Sequence, residues 1–564
     1  MFLDFKREVN SLLTDALKSC GFYASIAGTG DLWQTLEITP HADLASNISF
    51  RLAPILRRSP SSVAEEIQRA ISLDGNSFVD RVEVAGPYLN FFLSRRYLSS
   101  VLALAQGDFC WTGQMNERVI VEHTSANPNG PLHVGHIRNS VIGDTLARIL
   151  RRAGCDVETQ YYVNDMGRQI AIVVWGYERY GLEEKKPDHA IASAYIRANR
   201  ELEEKPDLVS EVDHLMQRYE GGDLQVALKF KEAVDLALAG IGETLHRLNV
   251  AHDSYHWEGK FVRSGDASDI VKILERSGRT VWEDGALKLD LFEEGFEKKV
   301  VLKRADGTTL YVTRDLAYHR WKAGRCERMI DVLGADHKLI SGQLRAMLRL
   351  VKLPEPEVVI FEFVSLPTGS MSTRKGKFIS ADDLLDEVFL QAYREVTSRR
   401  PDESEEFRRG VAEEVARGAV RYDIIKVSPD KATTFDWKSA LDFEKLSAPF
   451  IQYSHARACS ILRKAGEIGE FDSDLLAKED EVALLTKISQ FDIVIETAAR
   501  DLKPHLLATY ARELAESFNQ FYRYSPVLDA EPNLRSARLA LVNAAKSALR
   551  ATLETLGIAA LEAM

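Results

Sequence analysis

What this 564-residue chain has little of narrows its class before any motif is read. It carries five cysteines, Cys20, Cys110, Cys155, Cys326 and Cys459, scattered and without a CxxC pair. Zinc knuckles and disulfide frameworks need clustered or regularly paired cysteines, so neither is expected, and no protein-bound zinc. A reducing, cytoplasmic setting is the corresponding expectation. No apolar run approaches the roughly 20 residues of a membrane span, so no membrane partner is expected. The first thirteen residues include Asp4 and Glu8 and space Phe2, Phe5, Val9 and Leu12 at helical intervals. They predict an amphipathic helix, not a secretory signal. Positive charge is also short: 72 Lys and Arg against 84 Asp and Glu leave a formal −12. That balance argues against a general nucleic-acid binder. It leaves room for a local basic groove, because attraction to phosphate decays within about 10 Å at physiological salt. The length allows about three domains with ample core.

The most informative stretch runs from residue 118 to 169. Arg118 to His123 is β-rich and apolar, as in a buried strand. Small and turn-forming residues follow, from Thr124 through Ser125, Asn127 and Gly130 to Pro131. His133-Val134-Gly135-His136 then opens a segment whose apolar positions Ile137, Val141, Leu146, Ile149 and Leu150 repeat with a helical period. A second β-rich run, Val157 to Val163, comes after the turn at Gly154. Strand, loop, helix and strand in this order predict one right-handed parallel unit of a doubly wound sheet. Its loop lies outside the carboxyl end of the first strand, where such sheets bind ligands. The helix start offers unpaired N–H groups and a positive dipole end to phosphate. His133 and His136 are one turn apart, so both can face one ligand. Gly135 lets a flat base approach the backbone. Two imidazoles at a phosphate can stabilise charge that builds as a phosphoryl bond changes partners.

HVGH in this setting resembles the HIGH signature of class I aminoacyl-tRNA synthetases. The longer string VEHTSANPNGPLHVGHIRNSVIGD is similar to arginyl-tRNA synthetases in particular. Three later features extend the resemblance over nearly the whole chain. One is Tyr311-Val312-Thr313-Arg314-Asp315, predicted to start a helix after a β-hairpin over Lys299 to Val312. Another is Met371-Ser372-Thr373-Arg374-Lys375-Gly376-Lys377, a cationic loop similar to KMSKS, after a predicted strand over Phe361 to Leu366. The third is a helical tail with apolar stripes at Leu507, Tyr510, Leu514, Phe518 and Phe521 and at Val542, Ala545, Leu549, Leu553 and Leu556.

The resemblance implies an α/β protein. A Rossmann-like parallel-sheet catalytic domain, residues 111–404, would follow an N-terminal α/β domain, 1–110, that meets the tRNA corner. A helical insertion at about 181–298 would interrupt the sheet without adding an editing site. The KMSKS-like loop would span 366–380. A helical anticodon-binding bundle of the DALR type would occupy 405–564. The implied activity is arginine–tRNA ligation, with ATP as substrate, magnesium travelling with ATP, and tRNA(Arg) as partner to an expected monomer. His133, His136, Arg374 and Lys375 would be catalytic. ATP would meet His133, His136, Gly135, Met371, Ser372 and Lys375. Arginine would meet Glu122, Ser125, Asn127, Tyr311, Asp315 and His337, with Asp336 beside it. A fork-on-fork carboxylate pair would favour arginine over lysine. Tyr88, Asn90, Tyr453 and His455 would touch tRNA by stacking and amide contacts. One departure stands out. Thr373 occupies the usual KMSKS lysine position, and Gly130 stands where some arginyl enzymes carry a compensating lysine. Arg374 or Lys375 must then supply that charge. Two other readings compete: a class I synthetase for another amino acid, which YVTRD argues against, and a tRNA-binding paralogue without activity.

Overall fold

The computed structural model describes residues 1–28, 31–75, 77–107, 113–365, 380–444 and 447–564. Met371, Ser372, Arg374 and Lys375, like Cys110, lie outside the described residues.

The N-terminal part is α/β. Strands β1 (Leu36–Thr39), β2 (Ala42–Ser46), β3 (Val79–Ala85) and β4 (Tyr88–Leu93) form an antiparallel sheet in the order β1-β2-β4-β3. The helix Phe2–Ser19 buries Phe2, Phe5, Val9 and Leu13. Ser46 ends β2, and the next helix begins at Ile48. The unit docks on the helical tail: Asp492 Oδ2 accepts from the Leu3 amide at 3.1 Å, and Arg95 Nη1 donates to Leu476 O at 2.7 Å.

At the centre lies a five-stranded, all-parallel sheet: β5 (Arg118–Glu122), β6 (Asp156–Val163), β7 (Ser254–Trp257), β11 (Arg328–Gly334) and β12 (Glu357–Phe361). Their spatial order is β12-β11-β5-β6-β7, so β5 is central. Residues 119–121 are apolar and buried because helices cover both faces of such a strand. The helix Val134–Arg152 crosses from β5 to β6 and buries the expected Ile137, Val141, Leu146, Ile149 and Leu150. Each is worth about 1.5–3 kcal/mol of transfer free energy. Gly143 permits a close approach to the β5 loop: a Cβ there would lie 2.2 Å from that of His123.

Three sequence expectations change. The insertion over 181–298 is not helical throughout. Helices Pro187–Glu204, Val209–Glu220 and Leu224–Arg247 are followed by β7, a polar edge strand of the main sheet made of Ser254, Tyr255, His256 and Trp257. Next comes a separate antiparallel sheet of β8 (Thr280–Glu283), β9 (Ala286–Leu289) and β10 (Val300–Arg304). The hairpin expected over 299–312 keeps only β10 and one bridge, Lys303 to Thr309, because the helix Tyr311–Ala323 starts where its second arm would run. The strand placed at Phe361 to Leu366 lies earlier, at Glu357–Phe361, with a two-residue piece at Val364–Ser365.

The tail is a bundle of long helices, including Glu405–Ile425, Ala448–Ala465, Pro504–Tyr524 and Pro532–Thr555, and both predicted stripes are buried. Arg421, fully buried, ties it to the catalytic sheet. Its guanidinium donates to Asp144 Oδ2 (2.6 Å), Leu248 O (2.8 Å) and Leu556 O (2.9 Å).

Candidate active site

The loop after β5 turns sharply at Thr124 and Ser125, with φ of 68° and 38°. Non-glycine residues in this region cost about 1–3 kcal/mol each, so something must hold them. The crossover helix does: Asn139 Oδ1 accepts from the Thr124 amide at 2.7 Å, and Ser140 Oγ lies 2.8 Å from Thr124 Oγ1. Asn139 Nδ2 also donates to Val332 O of β11 at 2.9 Å, locking loop, helix and sheet together.

His133 caps that helix. The His136 amide donates to His133 Nδ1 at 3.3 Å, and the His133 amide donates to His136 Nδ1 at 3.3 Å. The rings stack with centroids 3.6 Å apart. Burial, and then the neighbouring His133, lower the pKa of His136 to about 3; burial lowers that of His133. Both imidazoles are therefore neutral near pH 7. With Nδ1 accepting, the ring proton of each sits on Nε2. The helix start thus offers two neutral N–H donors in front of a positive dipole end, with half-buried Gly135 between them.

Beside it, at the carboxyl ends of β5, β7 and β11, lies an acidic pocket. Glu122 ends β5; Ser125 Oγ donates to its Oε1 (3.2 Å) and Lys322 Nζ to its Oε2 (2.9 Å). Lys322 also donates to Asp331 Oδ1 at 2.9 Å. His319 Nε2 lies 2.8 Å from Asp331 Oδ2, and its Nδ1 lies 3.1 Å from Asp315 Oδ1. Burial and Lys322 push the His319 pKa down, but Asp331 and Asp315 outweigh them and raise it to about 10. Burial pushes Asp331 up, but Lys322 and His319 hold it well below the usual carboxylate range. Three carboxylates then face two cations, so the network is one positive charge short. The shortfall shows at Glu122, whose pKa burial raises against the pull of Lys322. Glu258, first residue after β7, is buried, pairs with Arg314 Nη1 at 3.1 Å, and is pushed up to about 7 by burial. Tyr311 stands exposed at the first turn of its helix. The Tyr162 hydroxyl is buried among these carboxylates with no hydrogen-bond partner. A pocket of this composition is chemically suited to a cation with several N–H donors.

The structure therefore brings Glu122, Ser125, Tyr311 and Asp315 together. Asn127 is exposed at the rim, where its Nδ2 donates to Gln169 Oε1 at 3.2 Å. His337 and Asp336 follow β11 on the ligand side but stand outside the carboxylate network, with 3.7 Å between their polar atoms. Sequence reasoning missed Glu258, Tyr162, His319, Lys322 and Asp331. The i, i+4, i+7 spacing of Asp315, His319 and Lys322 was the available signal.

One of the expected RNA contacts moves. His455 is buried in the bundle, its Nδ1 2.9 Å from Leu561 O, and cannot stack on a base. Asn90 is largely covered in the central strand β4. Tyr88 is exposed and meets Phe50 edge-on at 5.4 Å. Tyr453 lines a cavity of about 820 Å³ with Phe443, Phe450, Tyr522 and Arg399, and Arg457 lies over both tyrosine rings, at 4.7 and 5.1 Å.

Among the described residues two groups lie within metal-ligating distance, Glu122–His319–Asp331 and Asp188–His189–Asp382. An ammonium already fills each: Lys322 in the first, and Lys186, 3.2 Å from Asp188 and 2.8 Å from Asp382, in the second. Neither fits a metal ion.

Known proteins agree along the chain. The family model for the catalytic domain of class I (R) tRNA synthetases matches residues 99–437. That for the arginyl-tRNA synthetase N-terminal domain matches 7–93, and the DALR anticodon-binding domain matches 451–564. The arginine–tRNA ligase of Methanothrix thermoacetophila is 63% identical over all of both chains, and that of Archaeoglobus fulgidus 48%. The solved Thermus thermophilus arginyl-tRNA synthetase superposes with a TM-score of 0.86 at 31% identity, covering 99% of this chain and 100% of that one. Likeness of this depth over full length leads to one assignment: the chain belongs to the arginyl-tRNA synthetase family, within class I of the aminoacyl-tRNA synthetases.

Proposed function

We propose that the pocket carries out arginine–tRNA ligation as follows. A carboxylate oxygen of L-arginine attacks the α-phosphorus of ATP; the bond to the β-phosphate oxygen breaks and pyrophosphate leaves. A hydroxyl of the 3′-terminal ribose of tRNA(Arg) then attacks the arginyl carbonyl, and AMP leaves. The chain's work is positioning and charge stabilisation. His133 and His136 donate from Nε2 to phosphate oxygens. Gly135 receives adenine. Glu122, Asp315 and Glu258 take the guanidinium and ammonium charges of arginine, with Tyr311, Ser125 and Asn127 as polar partners and His337 at the rim. Magnesium enters as the counter-ion of ATP.

Arg374 and Lys375 clamp the triphosphate together with Met371 and Ser372, an assignment that rests on the motif. The flanks of that segment support it. The Ala381 amide donates to Leu132 O at 2.7 Å, and Arg138, on the crossover helix, donates to Glu362 O at 2.8 Å. Tyr88 beside Phe50, and the cavity of Tyr453, offer stacking faces to unpaired tRNA bases. The domains divide at about 110 and 404. A pocket whose described residues all come from one chain suits a monomer, and a ligase that uses ATP and tRNA suits the cytoplasm.

The observation that carries this reading is the acidic pocket, one cation short, beside a histidine-capped helix start. The test is arginine-dependent exchange of pyrophosphate into ATP, with and without tRNA(Arg), on wild type, Arg374→Ala and Lys375→Ala. Exchange that needs arginine supports the ligase, and exchange that also needs tRNA couples RNA binding to the pocket. tRNA binding without exchange would favour an inactive paralogue.

A further inference from the structure

Glu122 and Asp331 are register partners on the adjacent parallel strands β5 and β11. Like charges side by side on neighbouring strands repel, and both are buried. A cation between them removes the conflict. Lys322, fully buried, places Nζ 2.9 Å from each. The other Asp331 oxygen is taken by His319, which reaches on to Asp315. Asp331 therefore stands at the root of a fork. One arm runs through Lys322 to Glu122, the other through His319 to Asp315. Both tips are carboxylates of the arginine pocket; both cations come from one face of the Tyr311–Ala323 helix.

Resting on the ligase reading above, we propose that Asp331 and Lys322 are positioning residues for amino-acid specificity. Asp331 touches no substrate. It anchors the two cations that orient the two substrate-facing carboxylates. The fork does more than fill a core: it fixes the pocket at one uncompensated negative charge. A singly charged side chain neutralises it, while an uncharged isostere of arginine leaves a buried charge unpaired. Removing the Lys322 arm lets Glu122 keep a proton and turn away, and removing the root cancels the pocket's uncompensated charge and leaves both cations without their shared anchor, so in either case discrimination against uncharged analogues weakens.

The test is steady-state aminoacylation with tRNA(Arg) on the full chain, comparing wild type, Asp331→Asn, Lys322→Met and Lys322→Arg. Citrulline, the uncharged isostere, serves as competitor. In Asp331→Asn and Lys322→Met the KM for arginine is expected to rise at least about tenfold, with KM for ATP and tRNA unchanged. The preference for arginine over citrulline is expected to shrink alongside. Lys322→Arg restores a cation and should recover most of the loss. An unchanged arginine KM overturns the proposal, and so do losses in kcat and all KM values that track the folded fraction. Should Asp331→Asn fail to fold, the two Lys322 variants decide alone. A wild type without arginine-dependent charging would overturn the ligase reading instead.

Discussion

His133 and His136 stack 3.6 Å apart, each ring nitrogen Nδ1 taking the other's backbone N–H. The pair is at once a helix cap and a two-pronged donor, and the two jobs can be separated. Asn is also a good N-cap, so His133→Asn should keep the thermal midpoint within experimental error while lowering kcat roughly 10²-fold. His133→Ala should lose similar activity and also about 1 kcal/mol of stability. Full activity in His133→Asn would remove the histidine from the chemistry.

Glu258 is expected to give arginine binding a pH dependence near neutrality. Burial raises its pKa from 4.5 to about 7, and only the ionised form attracts the guanidinium. Arginine affinity should therefore improve as pH rises from 6 to 8, with proton release on binding below 7. Stability runs the other way. The folded state holds this proton more tightly than the unfolded chain, so the contribution is complete below about 4.5 and is lost as pH climbs to about 7. Glu258→Gln should flatten both profiles; calorimetry of arginine binding in buffers of different ionisation heat measures the proton directly.

Arg138 donates to five backbone carbonyls, those of Glu362, Phe363, Ser428, Pro429 and Lys431, at 2.7–3.4 Å. Lysine keeps the charge but has three donors on one atom and cannot span them. Arg138→Lys should cost about 2–4 kcal/mol in urea denaturation. It should also lower kcat, because Glu362 and Phe363 lead into the chain that carries the cationic motif. A loss under ~0.5 kcal/mol would mean that the carbonyls find other partners.

Tyr453 and His455 lie two residues apart on one helix and should behave oppositely. Tyr453→Ala is expected to raise the KM for tRNA several-fold with stability intact, since base–aromatic stacking is worth about 1–3 kcal/mol. His455→Ala should chiefly destabilise the bundle by freeing Leu561 O. The reverse pattern would place the RNA face on the other side of the helix.

Gly557 has φ of 73°, and a Cβ there would lie 2.2 Å from Arg421 Nη2. Gly557→Ala should displace that guanidinium from Asp144 and lower the thermal midpoint by several degrees, with the bundle and the sheet no longer melting as one transition in calorimetry.

The parallel unit around HVGH was legible because each of its signals is local. A strand buried on both faces must be apolar, a crossover helix must show its period, and a ligand loop must hold small residues. The tail stripes were legible for the same reason. The edge strand β7 was not, because an edge strand needs little apolar character, and Ser254 to Trp257 reads as a polar cluster until β6 is placed beside it. His455 was misjudged because an isolated motif does not say which side of a helix faces the core.

The linear order of residues determined the sheet's nucleus, the capped helix start and the presence of Glu122, Tyr311 and Asp315 at the ends of their elements. Only the tertiary structure decided the electrostatics. Glu122, Asp331 and Lys322 are separated by up to 209 residues, and their charges matter to one another only once β5, β11 and the Tyr311–Ala323 helix bring Lys322 Nζ within 2.9 Å of both carboxylates inside a low-dielectric pocket. Coulomb energy depends on that distance and on the exclusion of water, and neither is written in the order of residues along the chain.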